Sequence, residues 1–314
     1  MNKDYDVAVI GSGMSGLMAA RQCAERGATV VCIDENIVPG GLIGNVGKLD
    51  GFPTTTPISG GALADSAVAG CKMLGVDLIS ASVRELLPVE KKTAMVFHSS
   101  ASSLDGMGAK AVIVASGARL RQLEVPGAMA LTGRGVSQCD WCDGGLFRNQ
   151  AVAVVGGGDA AYQAALHLAG ICRSVSIIMR GSEIKARRCY VEAAAENERI
   201  SFLWDTVVTR VVGTERVEGL LLSNPSEKTE ETLPVNGVFV FIGTKPNSDF
   251  LPTGIERDAE GGVITDAKYR TSLPGIFAVG AVRSGYSGQL VSACGEAASV
   301  ASLAVADAES RTTF

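Results

Sequence analysis

The chain has 314 residues, which suggests two domains at roughly 100 to 200 residues each. Its composition of 46% hydrophobic and 19% charged residues, with 38 glycines, excludes a disordered or collagen-like protein. The net charge of −5, without a basic stripe, argues against nucleic acid as a partner. No run approaches the ~20 apolar residues of a membrane span, and Asp4 and Asp6 stand where a signal peptide is positive. We therefore expect a cytoplasmic protein that binds neither nucleic acid nor membrane.

The N-terminal segment has the pattern strand, glycine-rich turn, helix, strand. The apolar run Asp6–Ile10 predicts a strand, Leu17–Arg26 a helix and Ala28–Ile33 a second strand. Between the first strand and the helix, Gly11–Gly16 reads GxGxxG, whose glycines allow a tight turn and let backbone N–H groups reach a pyrophosphate. Asp34 closes the second strand, where a carboxylate accepts ribose hydroxyls. Together these features predict a dinucleotide site.

The same pattern recurs later in the chain. Ala151–Val155 predicts a strand, Gly156–Ala161 repeats the glycine turn with alanine last, and a helix continues to about Gly170. Val175–Met179 predicts the following strand, and Arg180 is the one arginine directly after it. The pattern predicts a second dinucleotide site. A single arginine would bind the 2′-phosphate of NADPH only weakly.

Further apolar runs connect the two units. Ala111–Ala115 and Val238–Ile242 each predict a buried strand ending in a glycine turn, and Ile276–Gly280 predicts another. A small-residue helix is expected from about Gln289 to Ala308. These positions place the second unit as an insertion in the first.

The predicted fold class is therefore α/β, with two Rossmann-like nucleotide-binding domains in three-layer ββα/βα arrangements, the second inserted in the first. We expect residues 1–116 and 246–314 to form one domain and residues 117–245 the other. The polar stretch Asn224–Thr232 is expected to be a solvated hairpin loop.

Cys139–Asp143 is the segment with redox chemistry. Two thiols three residues apart can close a small-ring disulfide, and in a cytosolic βαβ context such pairs are redox motifs. A zinc site would need two further ligands, and neither His98 nor His167 lies near another cysteine pair, so we expect both histidines to be structural or exposed. The other cysteines are expected to be buried free thiols: Cys23, Cys32, Cys71, Cys172, Cys189 and Cys294.

Three residues beside the thiols have open roles. Asp143 is placed to shuttle a proton to a departing thiolate, or it starts a structural Asp-Gly-Gly turn. Asp140 opposes thiolate formation by its charge, and Trp141 adds bulk where a partner disulfide arrives. Both also admit a neutral interpretation.

The order of these motifs resembles the low-molecular-weight thioredoxin reductase family of pyridine nucleotide-disulfide oxidoreductases, over nearly the whole chain. The segments that carry the resemblance are Gly11–Gly16, Pro39–Gly41, Ile58–Gly60, Ala115–Ala118, Gly135–Gly144, Gly156–Gly158, Phe241–Gly243, Pro246–Asn247 and Pro274–Ala278.

The resemblance implies a homodimer with a FAD domain built from both chain ends and the CxxC on an inserted NAD(P)-binding-like domain. Electrons would pass from NADPH or NADH to FAD, then to Cys139/Cys142, and then to a disulfide in a thioredoxin-like protein or a small molecule. By position, Cys142 would face the flavin, Cys139 would attack the substrate, and Asp143 would be the acid–base group.

The resemblance also implies which residues bind the cofactors, the last helix pointing its positive end at the flavin. For FAD they are Gly11, Gly13, Ser15, Gly16, Asp34, Glu35, Gly41, Ala115, Gly117, Gly280, Ala281, Gln289 and Leu290. For the nicotinamide nucleotide they are Gly156, Gly158, Asp159, Ala160 and Arg180.

Four departures from the family pattern fall at cofactor or substrate positions. Gly280–Ala281 replaces a Gly-Asp pair that holds the ribityl chain, and Met179–Gly181 replaces His-Arg-Arg at the 2′-phosphate. Gly288–Gln289 replaces Arg-Gln before the last helix, and Asp140–Trp141 replaces the usual small residues between the cysteines. The second departure bears directly on NADPH specificity.

These observations leave several functions open. The first is a nicotinamide-dependent disulfide reductase, and the second is a dithiol oxidase that passes electrons from a small dithiol to oxygen. The third is a flavin-bearing redox sensor without turnover, and the fourth is a reductase supplied by ferredoxin. The family resemblance favours the first, whereas the departures favour the second.

Overall fold

The computed structural model describes residues 4–53, 56, 58–89, 92–98, 107–226 and 229–311. The chain divides into two compact units. Unit 1 combines Met1–Arg119 with Lys245–Phe314, and unit 2 is the continuous segment Leu120–Thr244. The chain therefore leaves unit 1, builds unit 2, and returns to complete unit 1.

The described strands, in chain order, are β1 Asp4–Ile10, β2 Val30–Asp34, β3 Asp77–Ser80, β4 Ser82–Val89, β5 Lys92–His98, β6 Met107–Val114, β7 Ala118–Leu120, β8 Val136–Ser137, β9 Ala151–Val155, β10 Ser174–Ile178, β11 Ile200–Leu203, β12 Val207–Val212, β13 Gly219–Asn224, β14 Thr229–Leu233, β15 Gly237–Val240, β16 Thr244–Pro246 and β17 Ile276–Ala278. The α-helices are α1 Met14–Ala24, α2 Gly60–Met73, α3 Asp140–Asp143, α4 Asp159–Ala169, α5 Arg188–Ala195 and α6 Leu290–Ser310.

Unit 1 is built on one sheet with the strand order β3-β2-β1-β6-β5-β4, and β17 also pairs with β6. The pairs β3·β2, β2·β1, β1·β6 and β6·β17 are parallel, whereas β4, β5 and β6 pair antiparallel. Alternate residues of β1 face opposite sides: Val7 and Val9 pack with α1 and α6, whereas Ala8 and Ile10 pack in the core formed with β4 and β6. The sheet is therefore covered on both faces.

Unit 2 repeats this arrangement with the parallel sheet β11-β10-β9-β15-β8. Val152 and Val154 pack with Leu168 of α4 in one core, and Ala153 and Val155 pack in a second core with β12 and β13. The antiparallel sheet β12-β13-β14 covers this second face. Both units are thus Rossmann-type α/β folds, and the predicted fold class is confirmed.

The predicted elements exist, with shifted ends. The first helix begins at Met14 rather than Leu17, because the glycine turn leads directly into it. β6 begins at Met107, earlier than the predicted Ala111, and β17 ends at Ala278. The polar stretch from Asn224 is a hairpin between β13 and β14 rather than a loop throughout, and residues 227 and 228 lie outside the described residues.

α6 corrects the expectation that no segment has the length and apolarity of a membrane span. Within this 21-residue helix, a window of 18 residues reaches a mean hydropathy of 1.3. The helix nevertheless buries Ala297, Val300, Ala301 and Ala304 in the core of unit 1, where close helix packing requires small apolar side chains. Its apolarity is that of a core helix.

The expectation that six cysteines are buried thiols is wrong for two of them. Cys189 is exposed because it lies in the first turn of α5, whose buried residue is Ala194. Cys294 is half-buried because it packs only partly against the core of unit 1. The other four are buried. Burial raises the pKa of Cys23 to about 12 and also raises that of Cys32, so these sulfurs remain protonated thiols at neutral pH.

Candidate functional site

The turn after β1 uses its three glycines for three different purposes. Gly11 has φ 106°, and a Cβ there would collide with the Ala115 carbonyl oxygen. A Cβ on Gly16 would collide with the Gly11 carbonyl oxygen, so helix α1 and the turn approach more closely than any side chain permits. A Cβ on Gly13 meets nothing within 4 Å. Gly13 therefore borders open space at the start of α1.

This open space fits the pyrophosphate of a dinucleotide such as FAD. Gly13 is the N-cap of α1, no side chain caps it, and the first turn carries no acidic residue. The unsatisfied N–H groups of a helix start attract an anion. Gly40 N–H donates to the Ser12 carbonyl oxygen at 2.9 Å, and a Cβ on Gly41, where φ is 61°, would lie 3.2 Å from Gly13 Cα. The Gly40–Gly41 segment thus lines the same space.

The two acidic residues at the end of β2 differ in environment. Asp34 Oδ2 accepts hydrogen bonds from Ser12 N at 2.6 Å and Ser12 Oγ at 2.9 Å, and Oδ1 accepts from Asn36 N at 2.8 Å. Asp34 therefore holds the glycine turn. Glu35 is exposed and accepts one longer bond, from Ser82 Oγ at 3.3 Å. Which of the two carboxylates meets a ribose stays a prediction.

The segment after β17 lies against the first glycine turn. Gly280 has φ 72°, and a Cβ there would collide with Ser15 Oγ. Its N–H donates to Glu296 Oε2 at 2.8 Å, and Arg283 Nη2 pairs with Glu296 Oε1 at 2.9 Å. Ala281 supplies no carboxylate here, and the nearby buried charge is Glu296 on α6. Sequence reasoning missed Glu296 because it sits among the small residues of a helix.

The other residues predicted for FAD also lie in unit 1. Ala115 follows β6, and Gly117 has φ 65°. Gln289 is the N-cap of α6 without a side-chain cap, and Leu290 begins the helix. Tyr286 Oη donates to the Gln289 carbonyl oxygen at 2.8 Å. Burial, followed by the charge of Glu296, raises the pKa of Tyr286 to about 12, so this hydroxyl remains a donor at neutral pH.

The second glycine turn has the same construction in unit 2. A Cβ on Gly156, where φ is 140°, would collide with the Phe241 carbonyl oxygen and come within 3.2 Å of Ala161 Cβ. A Cβ on Gly158, the N-cap of α4, meets nothing within 4 Å. The alanine at the last motif position is tolerated there, and the open space at Gly158 fits a second pyrophosphate.

The start of α4 carries an ion pair that the sequence did not reveal. Asp159 Oδ1 accepts from Arg187 N, and its Oδ2 from Arg187 Nε, both at 2.7 Å. Arg187 Nη2 also donates to Tyr190 Oη at 2.7 Å. Ala160 is exposed beside Asp159, and Arg180 is exposed beyond β10. The sequence indicated Arg180 as the basic residue for this turn. The structure shows that Arg187 also lies there, bound to Asp159 at the start of α4.

Cys139 and Cys142 form a disulfide at α3 in unit 2, with their Cα atoms 5.3 Å apart. Cys139 is the N-cap of α3, and its Sγ accepts a hydrogen bond from Cys142 N at 3.1 Å. Cys142 is exposed and Cys139 is half-buried. The pair therefore lies at the start of the four-residue helix α3, whose first turn also carries Asp140 and Asp143.

A short hydrogen-bond chain links Cys139 to Asp143. Cys139 N donates to Ser137 Oγ at 3.0 Å, and Ser137 Oγ donates to Asp143 Oδ2 at 2.6 Å. Ser137 is 8% exposed. Asp143, proposed from sequence as an acid–base group, thus has its carboxylate held beside the disulfide. Ser137 was missed because a single serine before a CxxC has no distinguishing pattern.

Asp140 and Trp141, whose roles the sequence left open, both contact His167 of α4. Asp140 Oδ2 lies 2.7 Å from His167 Nδ1. The Trp141 and His167 rings stack, with centroids 3.9 Å apart and planes inclined by 15°. His167 was expected to be structural or exposed. It is half-buried and contacts both residues between the cysteines, at the start of α3.

Known proteins similar to this chain in sequence and fold include several named thioredoxin reductase. Residues 5–299 match the family described as pyridine nucleotide-disulphide oxidoreductase. The chain is 34% identical over 296 residues to the thioredoxin reductase of Listeria monocytogenes, covering 94% of this chain and 91% of that protein. It is 35% identical to the thioredoxin reductase of Streptomyces coelicolor, covering 96% and 93%.

Solved structures give the same assignment. The crystal structure of Lactococcus lactis thioredoxin reductase superposes with a TM-score of 0.92 at 32% identity, covering 98% of this chain and 99% of that one. T. acidophilum thioredoxin reductase superposes with a TM-score of 0.90 at 28% identity, covering 97% and 98%. With its paired glycine turns and its disulfide at α3, the chain belongs to the thioredoxin reductase-like branch of the pyridine nucleotide-disulphide oxidoreductase family.

Proposed function

We propose that this protein is a FAD-dependent disulfide reductase that uses NADPH or NADH and acts on a thioredoxin-like protein or a small-molecule disulfide. The observation that carries the proposal is the Cys139–Cys142 disulfide with Asp143 held beside it. The relatives named thioredoxin reductase support reduction as the direction of electron flow. They weigh against the dithiol oxidase that the sequence departures suggested.

Both cofactors have a place that the residues fit. In unit 1, FAD would lie at Gly11–Gly16, with Gly41, Gly117, Gly280 and the start of α6 around it. In unit 2, the nicotinamide nucleotide would lie at Gly156–Ala161. When bound, FAD and the nicotinamide nucleotide would supply the hydride-transfer chemistry that no side chain provides.

The chain's own residues perform the thiol exchange. The Cys139 thiolate attacks one sulfur of the substrate disulfide, so that bond breaks and a Cys139–substrate disulfide forms while the other substrate sulfur leaves as a thiolate. The Cys142 thiolate then attacks Cys139 Sγ, which restores the internal disulfide and releases the second substrate thiolate. Asp143 holds and transfers the proton at the leaving sulfur, and Ser137 fixes its carboxylate.

The proposal extends to assembly, location and nucleotide choice. A homodimer and a cytoplasmic location are expected by resemblance to the family. NADPH would require a cation at its 2′-phosphate, and Arg180 and Lys185, both exposed after β10, are the side chains that would supply it. Arg187 is already engaged by Asp159.

Anaerobic mixing of the purified yellow protein with NADPH, NADH and then a dithiol tests the proposal. We expect a nicotinamide nucleotide to bleach the flavin absorbance rapidly and a disulfide substrate to restore it. Bleaching by the dithiol alone, with colour restored by air, would instead establish an oxidase. Cys142→Ser should abolish restoration by the disulfide substrate while leaving nicotinamide bleaching intact, because the internal disulfide cannot reform.

A further inference from the structure

His167, in the last turn of α4, contacts both residues that lie between the two cysteines. Its Nδ1 lies 2.7 Å from Asp140 Oδ2, and its ring stacks on Trp141 with centroids 3.9 Å apart. The side chains of His167 and Asp140 are 22% and 14% exposed, whereas Trp141 is 48% exposed. The stack therefore lies at the surface rather than in the core, and the thiol exchange described above uses none of these three side chains.

The chain on either side of α3 is fixed to the rest of unit 2. Before α3, strand β8 pairs with β15 in the parallel sheet. After α3, Gly144 lies so close to α4 that an added Cβ would come within 2.9 Å of Leu168 Cδ2. Residues 138–143 therefore form a bridge between two fixed ends. His167 contacts the middle of this bridge, where the two cysteines must face each other.

This bridge has little stability of its own once the disulfide is open. Helix α3 has four residues, and a helix this short is unstable in water without contacts to the rest of the fold. In the oxidised protein, the disulfide between Cys139 and Cys142 closes the turn. In the dithiol that covalent closure is gone, and the contacts of Asp140 and Trp141 with His167 act against separation of the two sulfurs.

We propose that His167 is a positioning residue for the redox pair. By holding Asp140 and Trp141, it keeps the two thiols of the reduced protein close together and so favours the disulfide over the dithiol. His167 acts here as an anchor and transfers no proton. The inference rests on the proposed function only in taking Cys139 and Cys142 as the redox pair, and it holds whichever of the two thiols meets the substrate.

Two physical arguments give the direction of the effect. A preformed turn raises the effective concentration of one thiol at the other, which favours ring closure without any change in the S–S bond itself. The second argument is reciprocity. The disulfide and the His167 contacts order the same turn, so each costs less conformational entropy when the other is present. Loss of His167 should therefore move the equilibrium towards the dithiol.

The charge of Asp140 would act in the opposite direction. A carboxylate near the sulfurs disfavours a thiolate, so an Asp140 side chain released from His167 would disfavour the reduced form. Loss of His167 would then move the equilibrium towards the disulfide. The sign of the shift therefore separates an anchor from a group that acts through the charge of Asp140.

A dithiothreitol buffer without air measures this equilibrium on the full-length, FAD-containing protein. Reduced dithiothreitol gives two electrons and two protons to the Cys139–Cys142 disulfide, which opens to two thiols, while dithiothreitol closes its own ring disulfide. Acid quenching, differential alkylation and mass spectrometry of the tryptic peptide with both cysteines give the oxidised fraction at each buffer ratio. The exposed Cys189 lies in a different tryptic peptide and does not contribute.

We expect His167→Ala to shift the equilibrium about tenfold towards the dithiol, which for a two-electron couple corresponds to about 30 mV. His167→Phe, which keeps a ring beside Trp141 but offers Asp140 no hydrogen bond, should shift it less and in the same direction. The matched control is Gln163→Ala, because Gln163 Nε2 donates to Tyr190 Oη at 2.7 Å elsewhere on α4. That variant should shift the equilibrium by less than about twofold.

A shift of less than about threefold in His167→Ala, or any shift towards the disulfide, would overturn the inference and leave the proposed function standing. The same alkylation assay with NADPH or NADH in place of dithiothreitol tests the proposed function separately. A pair that stays oxidised with both nucleotides would refute that function. Thermal unfolding identifies a misfolded variant. If His167→Ala does not fold, a shift towards the dithiol in His167→Phe supports the inference, and the absence of one overturns it.

Discussion

Ser137 has a role at the disulfide that depends on one hydroxyl. Its Oγ accepts from Cys139 N and donates to Asp143 Oδ2 at 2.6 Å. Ser137→Ala removes a hydrogen bond to a charged group, and we expect the rate of Cys139 exchange with a disulfide to fall about tenfold. Stopped-flow measurement of thionitrobenzoate release, when the reduced protein reacts with a disulfide that carries this group, checks the prediction.

A control for Ser137→Ala is available within unit 2. Ser176 Oγ lies 3.1 Å from Ser201 Oγ in an exposed pair on neighbouring strands, so Ser176→Ala removes a serine hydroxyl bond away from the disulfide. That variant should exchange at the rate of the unaltered chain. If Ser137→Ala also does so, Asp143 needs no positioning by Ser137.

The lowered pKa of Asp6 leads us to expect a loss of folding stability in acid. Burial acts to raise the pKa of Asp6, but hydrogen bonds from Lys110 and Thr29 outweigh it and lower the pKa to about 2 from 3.8. A depressed folded-state pKa contributes stability above the unfolded value, near pH 4, which is lost as pH falls towards 2. We expect Lys110→Met to lower the free energy of unfolding at pH 7 by about 1 kcal/mol after allowance for solvent screening.

The difference between Lys110→Met and the unaltered chain should shrink as pH is lowered from 4 to about 2. Urea denaturation across this range measures it. Lys48, whose Nζ lies 3.5 Å from Asp50 in a more exposed pair, supplies the comparison: Lys48→Met should have little effect at any pH. A Lys110→Met loss that is unchanged in acid would show that the lysine acts through packing alone.

At the level of elements, two glycine-to-alanine substitutions in the first glycine turn add the same methyl group but should have different effects. A Cβ on Gly16 would collide with the Gly11 carbonyl oxygen, whereas Gly13 faces open space. We expect Gly16→Ala to destabilise the cofactor-free protein by about 1–3 kcal/mol. Gly13→Ala should leave that stability nearly unchanged but lower FAD affinity about tenfold or more, because the methyl occupies the pyrophosphate space.

Thermal unfolding of cofactor-free protein and FAD titration measure these two effects separately. Gly27→Ala, at a position with φ 86° and open space, tests a strained backbone far from the turn and should leave FAD affinity unchanged. Gly13→Ala with unaltered FAD affinity would show that the pyrophosphate does not approach this glycine.

The sequence predicted what is local and periodic. The strands before both glycine turns, the helices after them and the cysteine pair all carry short-range patterns, and the structure contains them. The partners of these residues were not predictable. His167 meets Asp140 across 27 residues, and Arg187 meets Asp159 across 28, because the fold brings together side chains whose separation leaves no periodic signal. Helix α6 shows the related limit, since its small residues conceal which face is buried.

At the scale of the whole molecule, each unit contains its own hydrophobic core. Among the described residues, the two core clusters of unit 1 draw on residues before 120 and after 244, and the two clusters of unit 2 lie within 120–244. The sequence anticipated this insertion from two repeated motifs and a late return of apolar strands. The contacts between the two chain segments of unit 1 could be seen only in the structure. Asn247 N donates to the Gly117 carbonyl oxygen at 2.9 Å, and Asn247 Nδ2 donates to the Ser116 carbonyl oxygen at 3.0 Å.

Because these bonds hold the two crossing points of unit 1 together, we expect unit 1 to fold without the insertion. Replacing residues 120–244 by a short glycine linker closes a loop whose ends are already adjacent, which costs little entropy. The shortened chain should bind FAD, remain yellow after gel filtration and unfold cooperatively on heating, with no nicotinamide-driven disulfide reduction. The reciprocal fragment, 120–244, should keep the Cys139–Cys142 disulfide and bind no FAD. A shortened chain that stays colourless or unfolds without cooperativity would show that unit 1 depends on unit 2 for its core.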